Sequence, residues 1–212
     1  LKNIRVAIKV DIGYVLFIAF IMVITLMSYY MLNVTTHHFN TFYADRFMPV
    51  KNLNQIQKNL LQMRINMLQE QIAAERGDWK EVNERIEYSG RLGKEYQELW
   101  KGFMETKLTE EEEKLAKQFQ AKASAAAAVR HKFAEAVKAG RLEQSLRLSD
   151  EWLKGYREVR NAMAKLIDLQ VRVGQDLKAE AENLAGLLVN VLFGVLGLSL
   201  LFGGVITLVL AR

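Results

Sequence analysis

Two stretches without a charged side chain, residues 12–32 and 184–210, bracket a long polar segment in this 212-residue chain. At 1.5 Å per residue the first stretch, 21 residues, makes a helix of about 31 Å, the thickness of a bilayer's hydrocarbon core. The second, 27 residues, spans with some tilt, and its one strongly polar member is Asn190. The first stretch is longer than the apolar core of a cleaved signal peptide, and no small-residue cleavage site follows Tyr29, Tyr30, Met31 and Leu32. It therefore reads as an uncleaved anchor. Lys2, Arg5 and Lys9 precede the first stretch and Arg212 follows the second, which assigns both flanks to the cytoplasmic side and the middle to the outside. In a bacterium this gives an inner-membrane protein with cytoplasmic residues 1–11 and 211–212, membrane helices 12–32 and 184–210, and a periplasmic domain at 33–183.

Composition narrows the class. The chain has one proline and no cysteine, which excludes a disulfide scaffold, a thiolate zinc site and a thiol nucleophile, and argues against many short strands joined by tight turns. The expected class is all-α. With the flanking charges set aside, 25 basic residues face 23 acidic ones, so the middle is nearly neutral and lacks the basic face of a nucleic-acid binder.

Within residues 33–183 apolar positions recur at steps of three and four, and the breaks carry cap chemistry, which predicts four helices. The first continues the membrane helix to about Arg76, with Leu53, Ile56, Leu60, Met63 and Met67 on one face, and Gly77 ends it. Asp78, with Glu81 three residues on, caps a second helix whose stripe is Val82, Ile86, Tyr96, Trp100 and Phe103, closed at Leu108. Thr109 and the acidic run Glu110, Glu111, Glu112 start a third, with Leu115, Phe119, Ala126, Val129, Phe133 and Ala136 inward, ending at Gly140. Residues 125–128, all alanine, give that helix a thin face for close approach of a neighbour. The fourth runs from about Leu142 into the second apolar stretch, with Trp152, Tyr156, Val159, Met163, Leu166, Val173 and Leu177 as its seam. Short turns make neighbours antiparallel, so the expected fold is an up-down-up-down four-helix bundle between two transmembrane helices.

The outer two helices outreach the middle two, so near the membrane each chain is two-stranded and faces such as Val173 and Leu177 stand uncovered. A second copy is the natural cover, and a homodimer is expected. Pro49 removes the hydrogen bond to Asp45, so a kink or boundary is expected near Met48.

The order of elements, together with residues 43–50 (Tyr-Ala-Asp-Arg-Phe-Met-Pro-Val) and 59–66 (Asn-Leu-Leu-Gln-Met-Arg-Ile-Asn), resembles bacterial methyl-accepting chemotaxis receptors with a periplasmic four-helix-bundle sensor. The resemblance implies a transmembrane receptor for a periplasmic small molecule or binding protein. Such receptors continue with a HAMP module and a methylated cytoplasmic hairpin, so the implied role is the sensor and membrane portion of a longer receptor. The same bundle is found on histidine kinases and cyclic-dinucleotide enzymes, and a structural adaptor without a small-molecule ligand is a further alternative.

No phosphate-binding loop, catalytic constellation or cofactor motif stands out: Gly194, Gly197, Gly203 and Gly204 lie in the second apolar stretch, where small residues serve helix packing. His37, His38 and His131 lack the spacing that puts two imidazoles on one helical face, so neither a metal site nor enzyme activity is expected. The sharper pattern is cationic. Arg64, Arg130 and Arg160 fall beside seam residues at similar heights, about 40–50 Å above the outer surface, and an arginine fork suits a carboxylate. With Tyr156 and Asn66 as neutral partners they form a candidate site for a small organic acid or amino acid. In related chemoreceptors the pocket is likewise distal and uses arginines of the first and last sensor helices, which Arg64 matches by location. The competing reading has these arginines draping over the core and pairing with Glu or Asp.

Overall fold

A computed structural model describes residues 6–211, and all its regular elements are helices. Helix α1 (Val6–Phe42) passes through one π-helical turn (Tyr43–Phe47) into α2 (Met48–Glu75). Three more follow: α3 (Trp79–Met104), α4 (Glu110–Lys138) and α5 (Leu142–Ala211). Residues divide into two compact units. One is Phe42–Gln175; the other consists of the segments that end at Thr41 and begin at Asp176. Lys2, Arg5 and Arg212, whose charges set the expected orientation, lie outside the described residues.

In the terminal unit the large apolar side chains face outward, among them Phe17, Leu26, Leu32, Phe193 and Leu201. Both apolar stretches lie in helices long and apolar enough to cross a membrane. Three of their hydroxyls are satisfied locally: Thr25, Ser199 and Thr207 each donate to the carbonyl four residues back, at 2.7–2.8 Å.

In the central unit the four helices pack through the anticipated stripes. Leu53, Ile56 and Met67 of α2 meet Val82 and Phe103 of α3, Phe119 and Phe133 of α4, and Trp152, Val159, Met163 and Leu166 of α5 in one buried cluster. Turn chemistry explains the reversals. After α2, Gly77 adopts φ 73°, its N–H bonds the Ala74 carbonyl, and the Asp78 N–H bonds that of Ala73. The same pair of bonds recurs after α4, where Gly140 (φ 67°) reaches Val137 and Arg141 reaches Ala136. Both are Schellman closures, which need a left-handed residue that only glycine adopts without strain. The Asp78 side chain accepts from the Glu81 N–H, and Thr109 with Glu112 forms a complete capping box.

Three expectations are corrected. Helix α3 ends at Met104, four residues before Leu108, because the Thr106 hydroxyl and N–H both turn back onto the Phe103 carbonyl and break the helical ladder. Val173 and Leu177 are half-buried within the single chain; the outward apolar ridge is instead Leu61, Ile65, Leu68 and Ile72 on α2, each at least 40 % exposed. Of the four alanines only Ala126 is buried, and there the thin face works as anticipated: a Cβ on Gly155 of α5 would lie 3.5 Å from that of Ala126.

The break expected near Met48 takes the form of the π turn. The Met48 N–H bonds the Tyr43 carbonyl five residues back, and Pro49, which has no N–H, sits buried just beyond the widened turn. The turn is anchored from outside. Arg46 bonds both oxygens of Glu112 at 3.0 and 3.3 Å, and the Asp45 carboxylate accepts weakly from the Lys107 N–H at 3.4 Å.

Candidate functional site

The inward stripe of α2 turns polar towards its C-terminal end. Asn66 and Glu70 occupy stripe positions beside Met67 and Ala74, so the packing that buries these two buries a carboxamide and a carboxylate as well. Asn66 Nδ2 donates to the Arg85 carbonyl at 2.5 Å and to Ser89 Oγ at 2.7 Å, joining α2 to α3. Ser89 Oγ donates onward to Glu70 Oε1 at 3.1 Å, and Arg130 Nη2 of α4 bonds the same oxygen at 2.5 Å. Glu70 Oε2 and Arg130 Nε are buried with no hydrogen-bond partner among the described residues. Burial pushes the Glu70 carboxyl up against the opposing pull of Arg130, Ser89, Arg85 and Lys138. It also lowers the Arg130 guanidinium against the attraction of Glu70. Desolvation outweighs attraction on both sides of the pair.

Beside this network a cavity of about 380 Å³ opens between α3 and α4, floored by α2 and α5. Its walls are Met63, Ile86, Gly90, Gly93, Tyr96, Ala123, Ala126, Ala127, Trp152, Tyr156 and Val159, with Ser89 and Arg130 at the network side. His131, Glu135 and Lys138 add polar groups of α4. Burial raises the Tyr96 phenol to about 12, so it stays protonated, and its hydroxyl pairs with Gln120 at 3.3 Å.

The five residues singled out from sequence separate into two groups and one outlier. Asn66 and Arg130 come together through Glu70. Arg64 lies with its guanidinium 5.7 Å from the centre of the Tyr156 ring, and Tyr156 and Arg130 both line the cavity. Arg160 points to solvent on α5. The three arginines thus do not form one cationic cradle, and Arg130 is already matched by Glu70. Glu70, Ser89 and Arg85 were not anticipated. Glu70 had a legible signal: counting four from Met63 to Met67 and three more lands on an acid, and an acid on a buried stripe demands a partner.

Such an all-α bundle, with a polar network and a ligand-sized cavity between its helices, defines a helical binding module. The chain belongs to the family described as the four helix bundle sensory module for signal transduction, whose model matches residues 3–185. No curated relative matches the chain.

Proposed function

We propose that this chain is the sensor portion of a transmembrane chemoreceptor, detecting a periplasmic small molecule or partner and passing a helix shift across the inner membrane. The observation that carries the reading is α5. One unbroken helix of 70 residues bears Trp152, Tyr156 and Val159 of the cavity wall and continues to the end of the second apolar stretch. A ligand that favours one of two packings of α5 would displace the same rod in the membrane. Positive flanks at Lys2, Arg5 and Lys9 support a periplasmic bundle. The chain acts here as a receptor and carries no catalytic step.

A homodimer completes the proposal. Leu61, Ile65, Leu68 and Ile72 repeat at four, three and four, the spacing of a two-helix seam, and stand exposed outside both apolar stretches. The cavity weighs against an adaptor that has no small-molecule ligand. Sequencing the gene past the codon for Arg212 is the test between a chemotaxis, kinase or cyclase output.

The test uses paired cysteines in the full chain in membrane vesicles. Leu61→Cys and Leu68→Cys should crosslink between copies, and a pair joining α2 to α5 should change its crosslinking rate when stimulus is added. Equal rates with and without every compound of an organic-acid, amino-acid and neutral-ring panel reject helix-shift signalling.

A further inference from the structure

Gly90 and Gly93 lie inside α3 in ordinary helical conformation, where glycine weakens a helix relative to alanine. Neither is there to admit a neighbour. A Cβ added at Gly90 meets nothing within 4 Å, and one at Gly93 meets only the Met63 side chain, at 3.8 Å. Gly155 is the contrast, since its bare backbone lets α5 rest on Ala126. Ala123 and Ala127 of α4 line the same cavity, so at these four positions neither wall has a side chain longer than a methyl. Local helix stability is given up on α3, and the return is open volume.

The lining then fixes what that volume suits. Tyr96, Trp152 and Tyr156 offer ring faces, and Met63 offers a flexible thioether. Arg130 is the polar anchor: its Nη2 holds Glu70, and no hydrogen bond among the described residues engages its Nη1, which is not among the buried unpartnered atoms. Because Glu70 cancels the guanidinium charge and Lys138, the lining's other permanent cation, is exposed on α4, a carboxylate buried among the rings would be desolvated with no cation buried beside it. A neutral acceptor faces no such penalty.

We propose that this cavity is the ligand site of the sensor, and that the ligand is an uncharged, largely apolar ring compound bearing one carbonyl-type hydrogen-bond acceptor. Its role as a stimulus rests on the sensory reading above; its binding does not. This replaces an organic acid held by three arginines with a neutral molecule held between α3 and α4.

The full chain in lipid nanodiscs is titrated with acetophenone, and with toluene as the same ring without an acceptor, following tryptophan fluorescence against empty nanodiscs. Acetophenone should bind saturably, and about tenfold more tightly than toluene. Gly93→Leu and Ala127→Leu fill the gap from opposite walls; each should keep its helix content and weaken binding about tenfold or more. Arg160→Ala, on the solvent side of α5, should leave binding unchanged. No saturable signal above empty nanodiscs, or undiminished binding in both leucine variants, overturns the site, and equal binding of toluene overturns the acceptor. Acetophenone binding without any change in the α2–α5 crosslink rejects the stimulus role while the site stands. A crosslink that answers another compound, in a chain that takes up no acetophenone, rejects the site alone.

Discussion

The bundle buries two glutamates completely, each against an arginine, and the two pairs are built differently. Glu112 stands in the first turn of α4, where the Thr109 N–H bonds its Oε2 at 2.5 Å while Arg46 covers both oxygens. Glu70 lies in the body of α2 with Oε1 shared by Asn66, Ser89 and Arg130 and Oε2 left bare. A helix N-terminus supplies free amides and a favourable dipole; a helix interior supplies neither. Burial is equal, so the difference lies in how fully each carboxylate is satisfied. The complete pair is a joint that fastens the π turn to α4. The incomplete pair holds a charge beside a cavity at a cost.

This contrast is exposed to measurement, most severely at Glu112. Glu112→Ala should lose about 3–5 kcal/mol by stranding Arg46, with about 1 kcal/mol more from the broken capping box. Urea denaturation of the full chain in mild detergent, followed by helical circular dichroism, reads this; a smaller loss than for Glu70→Ala would invert the comparison. Glu70→Ala alone should lose about 3 kcal/mol, yet Glu70→Met combined with Arg130→Met should lose less than about 1 kcal/mol, because removing both charges removes their desolvation. A double variant as weak as the single one would make the pair a stabiliser. Gly140→Ala, a control away from both glutamates, should lose about 1–2 kcal/mol through its left-handed backbone alone. The smallest effect concerns acid. Since burial raises the Glu70 carboxyl in the folded chain, its favourable contribution is full below the unfolded carboxyl range and disappears as pH rises through the folded value. Acidification from pH 8 towards 5 should therefore move wild-type stability upward relative to Glu70→Gln, and a gap that stays constant removes the asymmetry.

Much of the fold was legible because it depends on local chemistry. Gly77, Asp78, Thr109, Glu112 and Gly140 mark helix ends through hydrogen bonds within a few residues, and the seams follow from spacing. The end of α3 was not, because Leu108 continues the apolar pattern and packs partly on the core after the backbone has left the helix. At the site, spacing placed Asn66, Tyr156 and Arg130 on inward or flanking positions but could not say what each would meet. Arg130 found Glu70 on another helix, and Arg160, one position past the buried Val159, turned outward. The cavity left the faintest trace of all, since glycine and alanine in a helix mean either close contact or empty space, and only the packed structure distinguishes Gly155 from Gly93.

The widened turn at Tyr43–Phe47 resets the angular phase between Phe42 and α2. One surplus residue per loop displaces the face count by about 100°, so a stripe traced through Phe42 in even steps emerges beyond Pro49 on the wrong side. Deleting a single residue inside the turn would put Phe42 and α2 on one continuous count, and would carry Arg46 or its neighbours away from the azimuth at which Glu112 waits.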